Sequence, residues 1–431
     1  MRCMTRRFTF VAGFCLIACA HSPAQVVRGQ PAPAQPVQAD EPGRFRVAYA
    51  GEVDLEAHLE NPGDTIPLTL EWAQTCTDDG LCLVEQTVGT GQSARTERIW
   101  STPETTWSEG ASTSYPPLEA AAHRRLLSSF GAHENIEISY AHPRLGTVVD
   151  IVRCGALTED GVPESITVTH HGADVAWRGA LVLRTAESVP PPVSPAAPPS
   201  SSLGAPEAMI SRLREGVWQV SVPQHDARSF VLEFDTFVAV VEAPWSSEVG
   251  ELILDTVAES LPDKPVRYVM YTHHHPHYTG GLRAFIAEGA TVVAPHQHAE
   301  FVRSIAEYEF DIRPDRLAKS DAPLKLETFD GRFVIEEGLR RVEVFDIGEQ
   351  SKHTSAYMLF HLPAERLLIE GDIGWFVAPD GAVHVGERSE GLLNAIDERE
   401  LAVDTLLQTW PVVGQGPALR MEDFRAAVQR R

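Results

Sequence analysis

Thr272-His273-His274-His275-Pro276-His277-Tyr278-Thr279-Gly280-Gly281 is the stretch that decides how this chain is read. It follows Val266-Arg267-Tyr268-Val269-Met270-Tyr271, an apolar run with the character of a buried strand. His273 and His275 are two residues apart, so directly after a strand both imidazoles can turn to the same side. Imidazole suits Zn2+, and a catalytic zinc ion takes three protein ligands and keeps a fourth position open. Pro276 stiffens the turn, and Gly280-Gly281 permits close packing before the next helix. Four histidines within five residues, after a strand this apolar, argue against a solvated loop of chance composition.

The stretch resembles the metallo-β-lactamase superfamily signature Thr-His-x-His-x-Asp-His-x-Gly-Gly, and the chain from about Ile210 to Arg431 is similar to that family throughout. The resemblance implies a third ligand at His353, in Ser351-Lys352-His353-Thr354-Ser355, ahead of an apolar run. It also equates Gly371-Asp372 with the family's Gly-Asp after the next strand. His273, His275 and His353 would then rebuild the first metal site. The second site departs from the pattern. His277 stands where the signature has Asp, Tyr278 where it has its second His, and Gln415 where a last His is expected. Only Asp372 is kept. A protonated tyrosine is a poor zinc ligand and glutamine a weak one, whereas histidine binds metal and titrates near about 6.5. The expectation is one tightly held zinc ion and a weak or absent second one. His277 becomes a proton shuttle or auxiliary ligand, and Asp372 orients water or a ligand imidazole. His225, just before a strand, is a candidate substrate contact. Trp245, Trp375 and Phe376 are candidate pocket walls. His296-Gln297-His298 reads as a surface helix start.

Outward from the motif the chain divides into five parts. Arg2, Arg6 and Arg7 precede an apolar run, Phe8 to Ile17, and Leu16-Ile17-Ala18-Cys19 resembles the bacterial lipobox. Residues 1–18 are thus expected to be a lipoprotein signal peptide, with Cys19 lipidated. Each buried methylene of its acyl chains is worth about 0.8 kcal/mol of membrane affinity. Ala20, with no Asp after the cysteine, favours the outer membrane, facing the periplasm. Residues 19–43, rich in Pro, Ala and Gln, form a flexible tether. Residues 44–187 alternate with strand period at Phe45–Tyr49, Ile136–Tyr140 and Ser165–Thr169, with one helix expected at Leu118–Phe130. Residues 188–206 are a Pro-rich linker. Residues 207–431 alternate strands and helices.

Cys76 and Cys82 flank a turn-like Thr-Asp-Asp-Gly-Leu, so an oxidising compartment favours a local disulfide there, and Cys154 is left over. The alternative pairing with Cys154 stays open. The net charge of −24 argues against a nucleic-acid partner. Apolar content of 43% is enough for a sizeable core.

The fold class expected is α+β, an αββα sandwich preceded by a mainly antiparallel β domain. The expected activity is zinc-dependent hydrolysis of a small molecule whose class (ester, lactone, lactam or phosphoester) the sequence leaves open. The rival is a non-catalytic metal- or ligand-binding envelope lipoprotein, favoured by the loss of the signature Asp and terminal His.

Overall fold

The computed structural model describes residues 45–56, 61–77, 81–89, 94–101, 106–108, 136–142, 146–159, 162–171, 176–190, 194, 197, 207–308, 314–377, 382–412 and 416–431. Cys19, the tether, the expected helix Leu118–Phe130 and Gln415 lie outside the described residues.

The N-terminal strands are β1 (Phe45–Glu56), β2 (Ile66–Cys76), β3 (Cys82–Val88), β4 (Arg95–Ser101), β5 (Thr106–Ser108), β6 (Ile136–His142), β7 (Gly146–Cys154), β8 (Ser165–His171) and β9 (Ala176–Ser188). They form one antiparallel sheet in the order β5-β4-β3-β2-β1-β9-β8-β7-β6. Period-2 alternation places Val47, Tyr49, Val53 and Leu55 in a buried cluster with Leu70, Trp72, Val84, Ile99, Ile166 and Leu181. Glu52 and Asp54 on the same strand stay exposed. Cys82 is disulfide-bonded, and the β2–β3 register sets residue 76 opposite it. Cys154 is a free thiol.

The C-terminal part opens with β10 (Met209–Arg214), β11 (Val217–Val222), β12 (Ala227–Glu233) and β13 (Val238–Val241), which pair antiparallel. Helix α1 (Ser247–Ser260) then crosses over to β14 (Val266–Met270), which is parallel to β13. Ser246 caps α1, its Oγ accepting from Val249 N at 3.4 Å. Short α2 (Pro276–Thr279) and α3 (Leu282–Ala287) lead to β15 (Thr291–Pro295), and α4 (Ala299–Glu307) precedes β16 (Lys325–Phe329). These seven strands make one mixed sheet in chain order.

The second sheet contains β17 (Arg332–Glu337), β18 (Arg340–Asp346), β19 (Met358–Leu362) and β20 (Leu367–Glu370). A two-stranded hairpin, β21 (Phe376–Val377) and β22 (Val383–His384), precedes α5 (Glu387–Glu398). Then β23 (Thr405–Gln408) joins parallel to β20, β24 (Ala418–Arg420) pairs antiparallel with β23, and α6 (Met421–Gln429) closes the chain.

Both faces of this sheet are buried, and alternation assigns each residue to one. Val342, Val344, Met358, Phe360, Leu362, Leu367 and Ile369 join the core shared with the first sheet. Phe345, Leu359, Leu368 and Leu406 instead meet Leu392, Ile396 and Phe424 of α5 and α6. On the far side of the first sheet, Val249, Ile253 and Val257 of α1 and Phe285 of α3 pack into the shared core. The layering is αββα, preceded by the antiparallel β sheet. The metal motif sits where β14 ends, between the two sheets.

Candidate metal centre

The histidine loop is pinned on both sides before any metal is considered. Thr272 N donates to Glu242 Oε2 at 3.1 Å, and Met358 N donates to the Thr272 carbonyl at 2.6 Å. The first contact comes from the end of β13, the second from the facing sheet. Past the histidines, Pro276 opens α2 and Thr279 Oγ1 donates to the carbonyls of His274 and His275, 3.0 and 3.1 Å away. Ala243 N donates to Tyr278 O at 2.9 Å, and Gly281 N to Ala243 O at 2.8 Å. A side chain at Gly280 would strike the Trp245 carbonyl, so this close approach requires glycine.

The second wall comes from the other sheet. His353 follows a 3-10 turn, Gly348–Ser351, and Lys352 in the left-handed region at φ 55°. Ser351 Oγ accepts from the amides of His353 and Thr354, both at 3.2 Å. Asp372 follows β20. The Tyr357 hydroxyl accepts from Gly371 N and Asp372 N at 2.9 and 3.0 Å and lies 3.4 Å from Asp372 Oδ1. Gly371 leaves room for the Thr272 and Tyr357 hydroxyls, each 2.6 Å from where a Cβ would stand.

His273 is the hub. Its Nε2 lies 2.9 Å from His275 Nδ1 and 3.2 Å from His353 Nε2. Its other ring nitrogen, Nδ1, meets Thr272 Oγ1 at 3.2 Å. Two nitrogens each about 2.0–2.1 Å from one tetrahedral zinc ion stand about 3.3 Å apart, so the observed separations suit a shared ion. Burial, then the neighbouring His275, His353 and His277, push the His273 pKa well below that of free imidazole. The ring is therefore a neutral lone-pair donor, the form that binds metal. Imidazole nitrogens at these separations, offered by neutral rings, are a donor set that fits a zinc-like ion.

His277 groups with His273 and His275, while Asp372 groups with His273 and His353. Among the described residues no such set contains both His277 and Asp372, and none contains both His275 and His353; His273 is common to the two sets. Asp372 Oδ2 lies 3.4 Å from His353 Nε2 and 3.8 Å from Arg388 Nη1. Burial alone favours the neutral acid, but His353, Arg388 and His277 outweigh it and hold the carboxyl below the usual carboxylate range. Two other acids behave oppositely. Burial pushes Glu242 up to about 8, so it is mostly a neutral acid at pH 7, and burial raises Glu370 well above its ordinary value.

The structure thus gathers His273, His275, His277, His353 and Asp372. Tyr278 is buried, its ring centroid 4.4 Å from that of His273, and burial raises its phenol pKa well above the ordinary value. It is a neutral phenol, as its poor zinc affinity requires. Trp375 is not a pocket wall: it is buried in the core cluster beneath α5. His225 is buried in the 3-10 turn between β11 and β12. His298 is not a surface residue either. It is 1% exposed, stacks on Tyr271 and meets the Tyr271 hydroxyl at 3.2 Å. The 3-10 turn before α4 rotates it inward. Trp245 does flank His277, with ring centroids 5.6 Å apart. Sequence reasoning missed Arg388, Tyr357, Trp410 and Glu242, because each reaches the site through tertiary packing and carries no local pattern.

Residues 224–402 match the family model of the Metallo-beta-lactamase superfamily, a span that includes every gathered ligand. No curated protein matches the chain. Among solved structures, a metallo-beta-lactamase from Pontibacter korlensis is 14% identical, with 52% of this chain and 100% of that chain covered and a TM-score of 0.39. The metallo-beta-lactamase FIM-1 from Pseudomonas aeruginosa, in its mono-zinc form, is 16% identical, covering 52% and 94%, with a TM-score of 0.36. The sec-alkylsulfatase Pisa1 from Pseudomonas sp. is 18% identical, covering 48% and 39%, with a TM-score of 0.33. The layer order, the histidine loop and the family match agree that residues 224–402 have the metallo-β-lactamase fold.

Proposed function

We propose that the C-terminal domain is a zinc-dependent hydrolase centre that holds one ion on His273, His275 and His353. The observation that carries this reading is the position of His273 Nε2, 2.9 Å from His275 Nδ1 and 3.2 Å from His353 Nε2. When bound, zinc polarises a carbonyl or phosphoryl oxygen and makes water acidic near neutral pH. The residues of the chain do the rest. His277, half-buried at the edge of the cluster, takes up and returns the proton. Asp372 holds its charge, accepts from the Tyr357 hydroxyl and orients the His353 ring. Trp245 and Trp410 flank His277 and limit water on that side. Esters, lactones, lactams and phosphoesters all present the electrophile this arrangement serves.

The test is elemental analysis of the purified protein followed by a screen of ester, lactone, phosphoester and cephalosporin substrates. About one zinc per chain is expected, with turnover that His277→Ala lowers on the order of a hundredfold at unchanged zinc content. A protein that neither retains zinc nor turns over any substrate after zinc addition sinks the proposal. Zinc without turnover would leave the binding-protein reading. The lipobox-like Leu16-Ile17-Ala18-Cys19 supports an outer-membrane anchor as a companion proposal. Cys19→Ser should move the protein to the soluble fraction, and unchanged membrane association would refute the anchor.

A further inference from the structure

The centre has a cationic side and an aromatic side. On the first, Arg388 of α5 approaches Asp372 Oδ2 at 3.8 Å and stays 44% exposed. That carboxylate already has closer partners, His353 Nε2 at 3.4 Å from the same oxygen and the Tyr357 hydroxyl at 3.4 Å from the other. Among the described residues the Arg388 guanidinium is therefore loosely held, with one long contact and 44% of the side chain exposed. On the second side, Trp410 lies 5.9 Å from the His277 ring, and Phe376 lies 6.1 Å from Trp410. Phe376 and its neighbour Val377 are 45% and 36% exposed, among the few large apolar side chains left open to solvent. His277 belongs to one half of the ligand cluster and Asp372 to the other, with His273 common to both. Arg388 thus reaches the cluster through Asp372, and the aromatic residues reach it through His277.

We propose that this is a substrate site for amphiphilic anions, with an oxyanion group seated on Arg388 and an apolar group on Trp410 and Phe376. The proposal rests on the hydrolase reading and names the substrate class for it. The planar guanidinium presents paired N–H donors that match carboxylate, sulfate and phosphate oxygens. An anion would complete contacts that Asp372 leaves open. Selectivity has to be local, because the chain as a whole carries −24 and its distant field disfavours anions. Salt screens that field beyond about 8 Å at physiological ionic strength, whereas a direct contact with Arg388 is screened far less. The bond to be cleaved would lie between the two groups, over the metal cluster.

The experiment is calorimetric titration of the zinc-treated protein with 4-phenylbutanoate and with its uncharged amide. The native protein should bind the carboxylate about tenfold more tightly than the amide, as one charge-assisted contact supplies. Arg388→Gln should erase that preference, Arg388→Lys should keep most of it, and Phe376→Ser should weaken both probes alike. An unchanged carboxylate preference in Arg388→Gln overturns the proposal, because the carboxylate would then be held by the metal or elsewhere. Equal weakening of the amide by Arg388→Gln also overturns it, since that marks a structural role. Zinc per chain is measured on the same samples. A zinc-free native protein would count against the hydrolase reading, while dependence on Arg388 is still read from the carboxylate-to-amide ratio.

Discussion

At the residue scale, Tyr278 separates what the motif promises from what it delivers. It stands where a second metal site would place a histidine, yet its hydroxyl is buried with no hydrogen-bond partner among the described residues. A buried donor without a partner costs about 1–3 kcal/mol of desolvation. If the hydroxyl serves no metal, Tyr278→Phe should hold zinc as the native protein does and raise stability by about 1 kcal/mol, read by denaturant unfolding. A loss of metal stoichiometry in that variant would instead make the phenol a ligand. His273 and His275 were read from their spacing after a strand, whereas His353 and Asp372 were expected only through the family resemblance; the structure places all four side chains close to one another. Arg388 was not legible, since an arginine in the first turn of a helix is indistinguishable in sequence from any solvated one.

At the element scale, α5 is the instructive miss. The alternation of strands and helices expected for residues 207–431 is seen at β18, β20 and the final helix α6. Strands β12 and β13 are buried almost throughout, despite Arg228, Ser229 and Glu233 in β12, and are joined by a short turn. Strands β16 and β17 were missed because their burial is partial and their residues mostly charged. Helix α5 was missed in part because Gly391 interrupts it, and glycine costs a helix interior about 1 kcal/mol relative to alanine. The structure shows why glycine is there. A Cβ at position 391 would collide with the Gln350 carbonyl, in the 3-10 turn that leads to His353. Two effects therefore compete in Gly391→Ala. Helix propensity gains about 1 kcal/mol, and the backbone collision costs more, on the scale of overpacked cores at about 1–3 kcal/mol. The expected net result is lower stability together with weaker zinc retention, since the turn can yield only by moving His353. Competitive chelation checks it: zinc affinity equal to that of the native protein would show that α5 does not position the ligand.

At the scale of the whole molecule, burial makes one carboxyl into a pH sensor of stability. Glu242, fully buried between Thr272 and Thr409, has its pKa pushed up to about 8, while an unfolded glutamate titrates near 4.5. Between those values the folded state holds a proton that the unfolded state has lost. Stability therefore declines as pH rises through that window, by up to about 1.4 kcal/mol per pH unit from this group. Glu242→Gln should remove the slope, so the stability difference between variant and native protein should move in the variant's favour as pH increases. Parallel pH profiles from chemical denaturation would refute this. The larger question is whether the metal domain needs its β-rich neighbour. The buried clusters answer in advance. Among the described residues, one cluster draws only on Val47 to Ala186, and the two around the metal centre draw only on residues from Ala208 onward. Every candidate metal ligand lies in the same part of the chain, between His273 and Asp372. A chain of residues 207–431 should therefore fold cooperatively, bind zinc with native stoichiometry and keep native turnover on any substrate the full protein accepts. Calorimetric unfolding and elemental analysis of that fragment test the point. A fragment that stays unfolded, or folds without zinc, would mean that the N-terminal sheet completes the centre through contacts that the core clusters do not contain.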